Sequence, residues 1–500
     1  MFQPFWRVAI AALMVAPFPR MSASAAPSVA LSPILNHPSS QVTVSGSGFG
    51  AGKGIDVYWD TSDEMLVVSD STGTFRKKAI PVPSSALPGT HWVTALERDN
   101  GNGAQASFTV RTDWIEHGFG SRGRRYNPYE NVISPGNAAK LDVAWTYTTG
   151  DIIESSPAVV AGTVYIGSND GYLYALNATT GAKKWSTKVG RIDYSSPAVV
   201  GGVVYIGSLA GKIYALNATN GSVKWVYPSS GNLGFNVQSS PTVVAKVVYI
   251  GADDGNLYAL NASTGAKLWS FLTTADDQVW SAPAVWQGVA YIGSGDRSIY
   301  AISTTTHAKL WSAPTSDVVL SSPAVANQHV FAGSYDETLS IIDDNSGLDR
   351  FYYTTGSILS SAAIADGTVY FGSQDGKLRA LTDSLASSTY LWQYDATVAI
   401  NSSPAAANGV IYFGQDKNAT GEGYITALDS GTGSVLWQGH AADSVTSSPA
   451  VANGMVYVGS YDHKVYAFAL DAGANSAYHR KQRPPSYASL HPNPRLKPIK

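Results

Sequence analysis

From about residue 140 onward, hydrophobic and polar positions recur in blocks of similar length. One block reads Ser155-Ser156-Pro157-Ala158-Val159-Val160, then Thr163-Val164-Tyr165-Ile166-Gly167, then Tyr172-Leu173-Tyr174-Ala175-Leu176, then Lys183-Lys184-Trp185. Each run is short, rich in β-branched and aromatic residues, and bounded by Gly, Asn or Asp, which predicts four strands, A to D. Asn169-Asp170-Gly171 is a hairpin turn between B and C, and Asn177 to Gly181 turn C into D.

The block repeats eight times. Ser-Ser-Pro or a close variant begins at Ser155, Ser195, Ser239, Ser281, Ser321, Ser360, Ser402 and Ser447. Two copies are degenerate, Ser281-Ala282-Pro283 and Ser360-Ser361-Ala362. A second marker is aromatic: Trp145, Trp185, Trp225, Trp269, Trp311, Phe351, Trp392 and Trp437. Four strands per repeat and eight repeats predict an all-β fold dominated by an eight-bladed β-propeller over residues 113–471. The last block ends after its C strand, Tyr466-Ala467-Phe468-Ala469. Residues 140–149, with Leu141-Asp142-Val143-Ala144-Trp145, are expected to supply the missing D strand and close the ring. The marker tryptophans should pack between neighbouring blades, with Phe351 the weaker contact. Asp recurs at the B–C turn (Asp170, Asp254, Asp296, Asp336, Asp375, Asp416, Asp462) and is explained by bonding to the turn backbone. These turns lack the several oxygen ligands that calcium needs.

Residues 27–112 alternate in shorter runs, such as Gln41 to Ser45, Ile55 to Trp59 and His91 to Leu96, which suits a small β-sandwich. The stretch Val42-Thr43-Val44-Ser45-Gly46-Ser47-Gly48-Phe49 resembles the signature of bacterial Ig-like surface modules, which implies a spacer or adhesive unit. Residues 1–26 carry a basic Arg7, an apolar Val8 to Val15 and a small-residue cleavage site at Ala23-Ser24-Ala25, the pattern of a removed signal peptide. Secretion, or residence in the cell envelope, is therefore expected. No later segment is apolar for long enough to span a bilayer. Residues 472–500 are basic and Pro-rich, with the composition of a disordered tail.

Composition narrows the chemistry. Of 500 residues only 14% are charged. Arg7 and Arg20 fall in the leader, and six Lys or Arg with no acid fall in the tail. Residues 27–471 therefore hold 25 basic and 36 acidic side chains, a net of −11. Such a body disfavours nucleic-acid backbones. There is no cysteine, which excludes disulfides, thiolate nucleophiles and Cys-ligated zinc. The nine histidines show no metal-ligand spacing, and neither a GxSxG nor a Walker motif is present.

The repeated unit, together with Trp114, Arg125-Tyr126-Asn127-Pro128, Ile133, Asn137, Leu141 and Trp145, resembles the PQQ-type quinoprotein propeller over roughly residues 114–470. That resemblance implies either of two functions. The family's alcohol dehydrogenases hold PQQ with Ca²⁺ or a lanthanide over the central channel, with an Asp as base. Its non-enzymatic members serve as scaffolds, as the propeller-type outer-membrane assembly lipoprotein does. The dehydrogenases place their machinery on long insertions and often on a disulfide. Here the blades are minimal, and the one extended hairpin is Asp416 to Gly423. No catalytic residue and no metal ligand is assigned. The expected function is a non-catalytic binding scaffold for an unidentified protein or envelope component. The alternative is a PQQ- and Ca²⁺-dependent dehydrogenase of alcohols or sugars. A closed ring needs no second copy, so a monomer is expected.

Segments preceding each Ser-Ser-Pro should face the channel mouth. They offer Glu154, Arg191, Asp193, Gln238, Asp276, Trp280 and Asn401 as ligand-binding candidates. Arg191 could grip a carboxylate and Trp280 could stack on a planar ring. The other reading is a solvated rim whose polar residues cap loop backbones.

Overall fold

The computed structural model describes residues 26–274, 277–383, 389–470, 484–486 and 490. The expected signal peptide, apart from Ala26, most of the basic tail, and the candidate Asp276 lie outside the described residues.

Eight blades of four antiparallel strands are present, and the sheet of blade 7 gains a fifth strand, Tyr126–Asn127, parallel to its inner strand Ala405–Ala407. In blade 1 the strands are Ala158–Val160, Thr163–Gly167, Tyr172–Asn177 and Lys183–Lys188. Ala161 and Gly162, which join A to B, both have positive φ (52° and 67°). That is the two-residue turn whose twist matches a hairpin. Blade 8 takes its first three strands from Ala450–Ala452, Met455–Gly459 and Lys464–Leu470. Its outer strand is Leu141–Thr148, which pairs antiparallel from Leu141 opposite Leu470 to Thr148 opposite Lys464. The ring thus closes through a strand from the opposite end of the propeller sequence, and no blade is left short.

The Ser-Ser-Pro motif has a structural explanation. Its first serine sits under the B strand of its own blade: Ser321 Oγ accepts from Gly333 N at 2.7 Å and Ser360 Oγ from Gly372 N at 2.8 Å. Its second serine links blades. Ser156 N donates to Ser196 Oγ, Ser196 N to Ser240 Oγ, Ser322 N to Ser361 Oγ, Ser361 N to Ser403 Oγ and Ser448 N to Ser156 Oγ, each at 2.9 Å. Ala282 N to Ser322 Oγ (2.8 Å) and Ser403 N to Ser448 Oγ (3.0 Å) continue the ring. Only the step from Ser240 to blade 4 lacks a hydroxyl, because Ala282 stands there.

The marker tryptophans bridge blades on the outside. Trp145, Trp185, Trp225, Trp311 and Trp392 are each at most 9% exposed. Their indole N–H groups donate to Ala178 O, Ala218 O, Ala262 O, Asp344 O and Ser430 O of the next blade. Each ring slides beneath the C–D turn of that blade. At Gly181, with φ of +71°, a Cβ would come within 2.7 Å of the Trp145 ring, so this turn requires glycine. Where blade 4 carries His307 instead, the imidazole stacks on Trp269 with centroids 4.9 Å apart. Phe351 has no indole N–H and is 42% exposed.

The stretch ahead of the propeller is built of two sheets. One holds Ser28–Ser32, Gln41–Ser47 and Phe75–Pro81. The other runs in the order Leu35–Asn36, Gly103–Val110, Gly89–Glu97, Gly54–Trp59, Ser62–Val68. They share a core of Val42, Val44, Ile55, Val57, Val93 and Phe108. Buried Glu130 ties its end to the ring, accepting from Thr112 Oγ1 at 3.0 Å and from Gly454 N of blade 8 at 3.1 Å.

Candidate functional site

The segment from Trp114 to Asn127 positions one end of the site. It bonds to the innermost strand of all eight blades. Trp114 O accepts from Val159 N (2.7 Å), Ile115 O from Val199 N (2.8 Å), Ser121 O from Val285 N (2.6 Å) and Arg122 O from Val325 N (2.8 Å). Arg124 O and Arg125 O accept from Ile364 N and Ala406 N, at 2.8 and 2.9 Å. Glu116 Oε2 takes Val243 N at 3.3 Å, and Asn127 Nδ2 donates to Val451 O at 2.8 Å. Fourteen residues that visit every blade fill the channel at this level and give it a floor.

Above the floor lies a cavity of about 280 Å³. The residue before each Ser-Ser-Pro lines it in all eight blades: Glu154, Tyr194, Gln238, Trp280, Leu320, Leu359, Asn401 and Thr446. Their order around the ring separates two arcs. Blades 7, 8 and 1 offer Asn401, Thr446 and Glu154. Blades 4, 5 and 6 offer Trp280, Leu320 and Leu359.

A second tier stands fifteen residues on, where the B strand enters its turn. Asn169 Nδ2 donates to Glu154 Oε2, Gln238 Nε2 to Asp253 Oδ2, and Asn401 Nδ2 to Asp416 Oδ2, each at 2.9 Å. Tyr335 and Tyr461 hold the same place in blades 5 and 8. Burial raises the carboxyl pKa of both Asp253 and Asp416. Asp416 Oδ1 and Thr446 Oγ1 are buried without a hydrogen-bond partner. Glu154 is 9% exposed, and its Oε1 takes the Tyr461 hydroxyl at 2.5 Å. Tyr194, pushed up to about 12 by burial and then by Glu154, stays a neutral phenol. It stacks with Trp280 at 6.1 Å, the planes 23° apart.

The floor carries a buried cation. Arg125 is 1% exposed and donates to Pro404 O at 2.8 Å, to Pro449 O at 3.0 Å and to His117 O. Burial lowers its pKa to about 9, which leaves it charged at neutral pH. His117 lines the cavity beside it. Burial and then Arg125 hold that imidazole well below its ordinary pKa, so it is neutral.

Of the sequence candidates, Glu154, Gln238, Trp280 and Asn401 line the cavity. Arg191 and Asp193 do not. They pair with each other at 2.8 Å, and Arg191 is turned outward with its side chain 58% exposed. Asp276 lies outside the described residues. The turn aspartates behave as backbone caps: Tyr172 N, Asn256 N and Thr338 N each donate to the Asp two residues earlier at 3.0 Å. Asp416 is different. Its N–H bonds Ala399 O just as Asn169 N–H bonds Ile152 O, so it holds the cavity position, and Lys417 stands where the turn Asp would be. Sequence reading missed His117, Tyr335, Thr446 and Tyr461 as cavity residues. A fixed offset of fifteen from the mouth position would have found the two tyrosines. Among the described residues no group of three or more His, Asp or Glu is placed to hold a metal ion.

Comparisons with known proteins agree on the fold. The pattern of the family described as outer membrane protein assembly factor BamB matches residues 130–279, 273–385 and 384–496. The solved structure of BamB from Moraxella catarrhalis is 20% identical and superposes with a TM-score of 0.55, covering 66% of this chain and 98% of that one. A quinohemoprotein alcohol dehydrogenase from Pseudomonas putida is 16% identical with a TM-score of 0.60, covering 75% and 82%. The 1-butanol dehydrogenase (cytochrome c) of Thauera butanivorans is 32% identical over 79 residues, 15% of this chain and 11% of that protein.

Proposed function

The chain belongs to the family described as outer membrane protein assembly factor BamB, and from that premise we propose that it is an exported binding scaffold of the cell envelope that does no redox chemistry. One observation carries this reading. PQQ is an ortho-quinone bearing three carboxylates, and a site for it must supply cations. No Lys or Arg lines the mouth cavity, which presents Glu154 and Asp416. Arg125, the buried cation of the floor, does not line the cavity and spends its donors on the Pro404, Pro449 and His117 carbonyls. A trianion placed there would lose its hydration and meet like charge, an arrangement that costs several kcal/mol at least. The residues present do not fit PQQ.

In this reading residues 1–26 direct export and 27–112 act as a spacer module of bacterial Ig-like type. The propeller works as a monomer and presents its surface to a protein or envelope partner. No helix among the described residues is long and apolar enough to cross a membrane. The test is dye-linked oxidation of short alcohols and sugars by the purified protein with added PQQ and Ca²⁺. The scaffold reading expects no turnover above the protein-free rate. Turnover would contradict it.

A further inference from the structure

The mouth cavity still has the form of a ligand site, and its polarity names a different class of ligand. We propose that it takes a small amphipathic organic cation, an ammonium or guanidinium group carried on an apolar body. This rests on the reading above that the cavity does not hold PQQ.

Glu154 is the first reason. Its side chain is about nine-tenths buried, and the groups that bond it, Tyr461 OH and Asn169 Nδ2, are neutral. It forms no ion pair among the described residues. A buried carboxylate without a countercharge is unfavourable, and a cation is the compensation it lacks. Arg191 pairs with Asp193 and Lys417 with Asp443, and Arg125, in the floor, gives its donors to the Pro404, Pro449 and His117 carbonyls and forms no bond to Glu154.

The second reason is independent of charge. Asp416 Oδ1 and Thr446 Oγ1 are buried and unpartnered, on blades 7 and 8, next to Glu154 on blade 1. Three neighbouring blades thus present oxygen acceptors on one arc. An ammonium offers three N–H donors from one atom, and a guanidinium five.

The opposite arc accounts for the rest of the ligand. Trp280, Leu320 and Leu359 line blades 4 to 6 with mostly apolar surface, broken by the unpartnered Trp280 indole N–H and by Tyr335, and Tyr194 stacks with Trp280. Aromatic faces attract cations and pack apolar groups. A volume of about 280 Å³ holds roughly nine water-sized groups, the size of a phenyl ring with a two-carbon arm and one nitrogen.

The experiment compares three probes of one shape on the full-length protein by calorimetry at low salt. They are phenethylammonium, phenethyl alcohol and phenylacetate. Phenethylammonium should bind saturably at one site, the alcohol about tenfold or more weaker, and the acid not at all. Glu154→Gln should weaken the ammonium about tenfold. Asp416→Asn, on another blade, should weaken it as well, and thermal melts establish that both variants fold. Equal binding of phenylacetate overturns the proposal. So does the absence of saturation by phenethylammonium, or an affinity unmoved by both substitutions. The same titration with PQQ and Ca²⁺ separates the two readings. Tight PQQ binding removes the scaffold reading, whereas failure of every probe, PQQ included, removes the organic-cation site alone.

Discussion

The hydroxyl of Tyr461 donates to Glu154 Oε1 at 2.5 Å across the seam where blade 8 meets blade 1. The two residues are far apart in sequence, and only ring closure by Leu141–Thr148 brings their blades together. The bond is part of the cavity wall and also part of the closure. Hydrogen bonds to a charged group are worth about 1.5–3 kcal/mol. Tyr461→Phe should therefore lower the unfolding free energy by about 2 kcal/mol, measured by urea denaturation, while leaving the strand content seen by circular dichroism unchanged.

The serine ring makes a paired prediction. Ser403 Oγ accepts from Ser361 N, so Ser403→Ala leaves a buried N–H unbonded and should cost about 1–3 kcal/mol. Ala282 marks the one step without a hydroxyl. Ala282→Ser should complete the ring and stabilise the protein by about 0.5–1.5 kcal/mol. Denaturation midpoints moving in opposite directions check both.

The outer tryptophans differ from Phe351 in a measurable way. Trp225 is 9% exposed and bonds Ala262 O at 2.9 Å. Trp225→Ala should cost about 3–5 kcal/mol. Phe351 is 42% exposed, and Phe351→Ala should cost well under half of that. Similar costs for the two variants would mean that the indole does not hold the blades together.

Glu116 sets a pH dependence. It is 2% exposed and held by Val243 N, and burial raises its pKa from 4.5 to about 7. A carboxyl whose folded pKa is raised binds its proton more tightly in the folded state. Its contribution is complete at acid pH and is lost as pH rises from about 4.5 to about 7. Glu116→Gln keeps an acceptor for Val243 N and cannot ionise. The stability gap between variant and wild type should therefore widen in favour of the variant across that window. Parallel pH profiles in denaturation experiments would show that Glu116 does not titrate there.

The repeat was legible because its two markers each do a fixed mechanical task. The serines bond the inner ring and the tryptophans clamp the outer one, so the markers persist from blade to blade while loop lengths between them vary. The eight-bladed all-β architecture followed from their register. The mouth was legible in part, since the residue before Ser-Ser-Pro is set by the motif, and Glu154, Gln238, Trp280 and Asn401 fall there. Arg191 and Asp193 come before the mouth position, held by Tyr194, in a connection of ordinary length, and satisfy each other outside the cavity. Asp416 was misplaced for a simple reason. Blade 7 has Gln415-Asp416-Lys417 where blade 1 has Ser168-Asn169-Asp170, and matching Asp to Asp slips the frame by one residue. His117 was invisible because nothing in Trp114 to Asn127 says that this segment crosses the channel. Its bonds run from backbone carbonyls, which every sequence possesses.

The most direct test of the central claim is a titration of the purified protein with PQQ, with and without Ca²⁺, followed by tryptophan fluorescence. Trp280 lines the cavity and would report a quinone bound there. The scaffold account predicts no saturable quenching under either condition. Saturable, Ca²⁺-dependent quenching that is lost on Glu154→Gln or Trp280→Phe would contradict it and return the chain to the dehydrogenases.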